Sequence, residues 1–222
     1  MSSDINFDYI TEYIRGVLPK KEGILAQIEQ EVREDYFPIV EKETGAFLEV
    51  MCAAIRPASI LEIGTAVGYS AILMQKAARP DTSITTIERY DRASDLAQKN
   101  IERAGLSGRI EVLRGEAKDL LPQLSGPYDL IFLDAAKGQY PHFLPHMIRM
   151  LRPGGMLICD NILYKGMIAE NALVIRRKKT IVKRLRMFIE EILHNPDLKS
   201  CIIPLGDGLT VSIKVDGEGQ EK

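Results

Sequence analysis

From Pro57 onward, short apolar runs rich in β-branched residues alternate with amphipathic stretches, and this alternation leaves few architectures open. Strands are expected at 59–63, 83–88, 110–114, 128–134 and 156–160, with helices over 69–78, 92–104, about 118–124, and 140–151. Strand-helix units in succession imply a parallel sheet with helices on both faces, because each parallel neighbour is reached through a crossover. The first 56 residues read as helices over 5–18, 21–36 and 43–55, punctuated by Pro19 and Pro38. A long helix is expected from about 172 to 194. Beyond it, strands 199–204 and 209–215 flank Gly206-Asp207-Gly208 and form an antiparallel hairpin that closes the sheet. The expectation is one α/β domain over 1–222, with a helical extension (1–56), a core (57–215) and a frayed tail (216–222).

At 222 residues and 45% hydrophobic content, the chain can bury a sizeable core. Its cysteines, Cys52, Cys159 and Cys201, have no paired spacing, and the start MSSDINFDYI lacks the basic and apolar stretches of a secretory signal. A reducing cytoplasm is the expected compartment. No apolar run approaches the roughly 20 residues of a membrane span. A net charge of -2 gives no whole-protein attraction to nucleic acid. Locally the balance differs: Arg176, Arg177, Lys178, Lys179, Lys183, Arg184 and Arg186 follow one another with no acid between them.

Asp134 and the pair Asp160-Asn161 each close a short apolar run, which places three hard oxygen donors at one edge of the sheet. Such donors suit Mg²⁺ or Ca²⁺, and Lys137 stands three residues after the first. Asp160-Asn161 alone would read as a helix cap or turn former; the buried strands implied before each donor favour the metal. Upstream, Glu62-Ile63-Gly64-Thr65-Ala66-Val67-Gly68-Tyr69-Ser70 joins a strand to a helix without the dinucleotide G-x-G-x-x-G spacing. Glu88 ends the next strand, 20 residues beyond Gly68, where a carboxylate can accept ribose hydroxyls. His142 and His146 flank Pro145 in apolar surroundings and read as packing residues. Strand alternation turns Cys159 away from the donors as a buried thiol.

Through Leu61-Glu62-Ile63-Gly64-Thr65, Asp134-Ala135-Ala136-Lys137 and Asp160-Asn161, the chain resembles the class I S-adenosylmethionine-dependent methyltransferases. More narrowly it is similar to the metal-dependent O-methyltransferases of the catechol and caffeoyl-CoA type, over nearly its whole length. Within that family, Ala135-Ala136-Lys137-Gly138-Gln139-Tyr140, the run from Asp160 to Gly166 and Ile203-Pro204-Leu205-Gly206-Asp207-Gly208-Leu209 resemble the bacterial branch that methylates 5-hydroxyuridine in tRNA. The resemblance implies a Rossmann-like fold with a mostly parallel seven-stranded sheet, S-adenosylmethionine and Mg²⁺ as cofactors, and a homodimer. It assigns the cofactor pocket to Val40 and to Gly64 through Ser70 with Glu62 ahead of them. Glu88 is placed on the ribose, Glu116 and Ala117 at the adenine, and Asp134 on both cofactor and metal. Asp134, Asp160 and Asn161 become the metal ligands. Catechol-type relatives often carry serine where Ala117 stands and a bulky aromatic where Ala136 stands, so the wall for a small flat ring is missing here.

Methyl transfer from a sulfonium to oxygen is an in-line displacement that needs an oxyanion or nearly one, and a divalent cation favours that form. Two adjacent oxygens, as in catechol or as O4 and O5 of 5-hydroxyuridine, would chelate at the free positions. Lys137 is the candidate acceptor of the hydroxyl proton. Ile181, Leu185, Phe188, Ile189 and Ile192 recur at helical spacing and should face the body. Lys165, Arg176, Arg177, Lys178, Lys179, Lys183 and Arg184 are the candidate phosphate contacts to a tRNA anticodon stem-loop, with Tyr140 and Tyr164 as candidates to stack on an unpaired base. Alternatives are methylation of a small phenol or its thioester, a nicotinamide-dependent oxidoreductase, and a non-catalytic RNA-binding module.

Overall fold

The computed structural model describes residues 5–35 and 37–216. Tyr36, at the end of the second expected helix, and all of the expected tail after Asp216 lie outside the described residues. Three helices come first: α1 (Asp8–Val17), α2 (Gly23–Asp35) and α3 (Lys42–Ile55). Then follow β1 (Ser59–Ile63), α4 (Tyr69–Ala77), β2 (Ser83–Glu88), α5 (Asp91–Arg103), β3 (Ile110–Arg114) and α6 (Ala117–Leu120). The chain continues through β4 (Tyr128–Leu133), α7 (Tyr140–Met150), β5 (Leu151–Cys159), α8 (Lys179–Leu193), β6 (Leu198–Ile203) and β7 (Leu209–Lys214). The strand order is β3-β2-β1-β4-β5-β7-β6. β1, β2 and β3 pair in parallel, as do β4 and β5, whereas β7 runs antiparallel to both β5 and β6. The expected Rossmann-like α/β architecture with a closing hairpin is thus observed.

By packing, the described residues gather into two compact units, one within 12–117 and the other formed by 118–216 with 5–11. In the first, α2 and α3 pack on α4, so these two helices belong with β1 to β3. α4 is buried on every side from Tyr69 to Gln75, which suits its weak amphipathicity. Tyr69 donates its hydroxyl to Glu29 Oε1 at 2.6 Å, and Arg103 reaches both oxygens of Glu31 at 2.8 Å. In the second unit, the runs Leu130 to Leu133 and Leu157 to Cys159 are fully buried, with Leu144, Met147, Leu185, Phe188 and Ile192 completing the core.

Two helices differ from expectation for local reasons. α6 stops at Leu120 because Pro122 lacks an N–H and bars helical conformation at the residue before it. The expected helix over 172–194 begins only at Lys179; ahead of it stand two 3₁₀ turns, Asn171–Leu173 and Arg176–Lys178. The β-branched Val174 and Ile175 adopt extended backbone between these turns, and Glu170 accepts the Ala172 N–H, so the first turn is capped locally. Arg176, Arg177 and Lys178 therefore lie off α8. β5 in turn starts five residues earlier than expected, at Leu151, through an irregular stretch opposite Tyr128.

Candidate active site

In the first unit, the turn from β1 into α4 is braced from beneath. Glu62 is fully buried, and its Oε2 accepts the hydroxyls of Thr65 at 2.6 Å and Thr86 at 2.5 Å. The Thr65 and Thr86 hydroxyls also bond to each other. Gly64 N–H and Thr65 N–H donate to the Ile87 carbonyl at 2.9 and 3.2 Å, fixing the turn to the end of β2. Ala66 and Gly68 both have left-handed backbone, φ 46° and 82°. A side chain at Gly68 would stand 3.2 Å from the main chain of Ala97 in α5, so glycine is required twice over.

Glu88 receives three backbone N–H groups, Ala66 on Oε2 and Arg89 and Tyr90 on Oε1, each at 2.9 Å. A carboxylate has about four acceptor positions, so Glu88 is held rigidly with one acceptor direction left at Oε2. A donor such as a ribose hydroxyl fits that remainder. Ser70, Ala117 and Val40 are buried, whereas Glu116 is exposed and 3.8 Å from Arg89. Val40, Gly64, Ser70, Glu88 and Glu116 all belong to this unit; Glu62 holds the turn from below.

The oxygen donors belong to the second unit. Asp134 follows β4, and Asp160 and Asn161 follow β5. The Asp160 N–H donates to the Leu133 carbonyl at 2.9 Å, which sets these two strand ends in register. Tyr140 seals them: its hydroxyl donates to the Asp160 carbonyl at 3.0 Å, while its ring packs edge-on against Phe188 at 5.3 Å. Tyr140 is fully buried, so the expectation that it stacks on a base is corrected; the apolar surroundings of α7 and α8 claim the ring. Lys137 Nζ donates to Asp134 Oδ1 at 2.6 Å.

The Asp160 carboxyl is almost wholly buried and accepts the Asn161 N–H at 2.6 Å. Burial pushes its pKa up to about 8; the charges of Asp134 and Asp207 push the same way, and Lys137 opposes them. Such a carboxylate, desolvated beside a second one, is what a divalent cation compensates. Two carboxylates and an amide are also hard oxygen donors of the kind Mg²⁺ takes. Among the described residues no group of three His, Cys, Asp or Glu side chains is placed for a metal. Cys159 is buried and its thiol is pushed up to about 12 by burial, as suits a packing residue.

Asn161 has left-handed backbone (φ 57°), tolerated by asparagine, and Tyr164 and Lys165 share it at 47° and 58°. The turn between β6 and β7 holds this loop, through Ile162 N–H to Gly208 O and Leu163 N–H to Asp207 O, both 3.0 Å.

The basic residues divide into two groups. Arg184 donates to the Gly138 carbonyl at 3.0 Å, and Arg186 to the carbonyls of Ile168 and Met167 at 3.0 and 3.2 Å and to Asn171 Oδ1 at 2.8 Å. Lys165, Arg176, Arg177, Lys179 and Lys183 are exposed, and Lys178 lies 5.5 Å over the ring of Tyr164. Lys179, Lys183 and Arg186 line a surface cleft of about 610 Å³. Arg184, expected on phosphate, is already committed to the main chain beside Lys137, a long-range pairing that helical spacing does not reveal.

This chain belongs to the O-methyltransferase family, which its residues 19–215 match. Among similar proteins, the catechol O-methyltransferase of Niastella koreensis is 33% identical over 170 residues, spanning 74% of this chain and 77% of that one. Caffeoyl-CoA O-methyltransferase 2 of Populus trichocarpa is 27% identical across 97% of this chain and 90% of its own. The crystal structure of the Bacillus cereus O-methyltransferase, solved with S-adenosylhomocysteine, superposes with a TM-score of 0.82 at 29% identity, covering 93% of this chain and 97% of that one.

Proposed function

We propose that this O-methyltransferase uses S-adenosylmethionine and Mg²⁺ to convert 5-hydroxyuridine in the anticodon loop of tRNA to 5-methoxyuridine. S-adenosylmethionine supplies the methyl group on a sulfonium. The turn at Gly64 to Ser70 and the pinned carboxylate of Glu88 present backbone and acceptor to a nucleoside, and Glu116 and Ala117 are the adenine-side residues. Asp134, Asp160 and Asn161 would hold Mg²⁺, whose chemistry there is stabilisation of an oxyanion. Lys137 Nζ, fixed on Asp134, is the group beside these donors that can exchange a proton with the substrate hydroxyl.

The observation that carries the tRNA reading is the row of exposed cations Arg176, Arg177, Lys179 and Lys183, free of any acid, in the same unit as the oxygen donors. Cations so displayed suit a polyphosphate backbone. Ala136, exposed where catechol-type relatives often carry a bulky aromatic, leaves room for a base at the end of a macromolecule. The test is mass spectrometry of tRNA nucleosides from cells lacking this protein: accumulated 5-hydroxyuridine and missing 5-methoxyuridine are expected. Normal methoxylation in a strain without a redundant route would overturn the reading.

A second reading, methylation of a small phenol or its CoA thioester, is favoured by the catechol and caffeoyl-CoA enzymes among the relatives. It requires turnover on free diphenols with no effect of the exposed cations. A homodimer is proposed as well, because Tyr9, Tyr13 and Val17 of α1 are exposed apolar side chains; sedimentation of Tyr9→Ser/Tyr13→Ser protein tests it. Cytoplasm is the proposed compartment: Cys52, Cys159 and Cys201 are free thiols, and no helix among the described residues is long and apolar enough to cross a membrane.

A further inference from the structure

Asp207 sits in the turn between β6 and β7, outside every residue set assigned above, yet it meets the loop after β5 twice. Its carbonyl accepts the Leu163 N–H at 3.0 Å, and its carboxylate Oδ1 accepts the Lys165 N–H at 2.6 Å. The neighbouring Gly208 carbonyl accepts the Ile162 N–H at 3.0 Å. Gly208 itself admits no side chain, since a Cβ there would stand 2.4 Å from Leu163. The turn and the loop are therefore pressed together, with the carboxylate bond to the Lys165 N–H joining a side chain of the turn to the loop.

What this bond restrains is a loop that would not hold its shape alone. Asn161, Tyr164 and Lys165 all lie in the left-handed region, which asparagine tolerates but which is unfavourable for the bulkier Tyr164 and Lys165. Three such residues within five positions persist only where the surroundings determine them. A charged acceptor on a backbone N–H is among the stronger bonds available for that purpose.

We propose that Asp207 is a positioning residue, whose carboxylate latches the loop after β5 and so presents Asn161 beside Asp160. It touches no reacting atom in this role. The inference rests on the reading of Asn161 as a metal donor, and its test separates the two.

Amide hydrogen exchange of the metal-free protein comes first. Lys165 has an exposed side chain, but its N–H should be protected from exchange; an N–H exchanging at the rate of an open loop overturns the latch without any variant. In Asp207→Ala, exchange at Lys165 should quicken at least tenfold and the dissociation constant for Mn²⁺ alone should rise about tenfold. In Asp207→Asn, whose amide oxygen still accepts but without the charge, both should change less than in Asp207→Ala. Unchanged exchange and unchanged Mn²⁺ affinity in Asp207→Ala would overturn the proposal. Asn161→Ala serves as the control: if it leaves Mn²⁺ binding untouched, the donor reading of Asn161 falls, and the latch is judged on the Lys165 amide alone.

Discussion

Arg184 donates from Nη1 to the carbonyl of Gly138 at 3.0 Å, tying α8 to the turn that begins with Lys137. A guanidinium spent on the main chain contributes little to phosphate. Arg184→Ala should therefore lower turnover on any methyl acceptor, by roughly tenfold for the loss of one charged hydrogen bond. The salt slope of tRNA binding should stay as it was. Steady-state kinetics paired with binding at several salt concentrations decides; a flattened slope with normal turnover would return Arg184 to the RNA-contacting set.

The exposed cations behave in the opposite way. Replacing Arg176, Arg177, Lys178 and Lys179 with glutamine should weaken tRNA binding and reduce the magnitude of the log–log salt slope by about 0.7 to 0.9 per lost phosphate contact. Turnover on a small diphenol, if there is any, should be unaffected. Unaltered affinity and slope would end the tRNA assignment of this segment.

Asp160 gives a pH signature in the absence of metal. Its folded pKa, about 8, lies above the unfolded carboxylate value, so the folded state binds the extra proton between the two. Stability of the metal-free protein should fall as pH rises from about 4 to about 8 and level off beyond. Asp160→Asn should remove that part of the slope and leave the protein more stable at pH 8, while abolishing methyl transfer. Denaturant titrations across the range measure it; parallel curves for the two proteins would show that Asp160 ionises freely.

Tyr140→Phe removes a buried hydroxyl that bonds the Asp160 carbonyl. The expected cost is about 1–2 kcal/mol of stability, with that carbonyl losing its side-chain donor. Activity should drop, because the ends of β4 and β5 lose their side-chain clip, while tRNA affinity should hold. A large loss of tRNA affinity without destabilisation would show the ring to be a stacking surface after all.

Gly68→Ala forces a side chain into left-handed backbone and against Ala97. A loss of about 1–3 kcal/mol in thermal stability is expected, with weaker binding of S-adenosylhomocysteine by calorimetry. Wild-type values for both would mean that the turn adapts.

Much of this was legible in the chain itself. β1, β2 and β3 fall on the expected residues because buried parallel strands are short β-branched runs with sharp ends, and their signal is local. The placement of Asp134, Asp160 and Asn161 just past strand ends was legible for the same reason: each follows such a run. The brace of Glu62 by Thr65 and Thr86, the burial of Tyr140 and the bonds of Arg184 and Asp207 were not. Apart from the Glu62–Thr65 bond, they join residues 20 to 46 positions apart, and no periodicity encodes such pairings. The start of α8 was missed because Glu170 offers a cap to a turn that Val174 and Ile175 then interrupt.

Lys183 and Arg184 are consecutive on one helix and so diverge by about 100°. One faces water and the other reaches the Gly138 carbonyl beside Lys137. Residues on the outward side can change without moving those on the inward side, so the charge this face offers to solvent and the support given to the turn at Lys137 can vary independently.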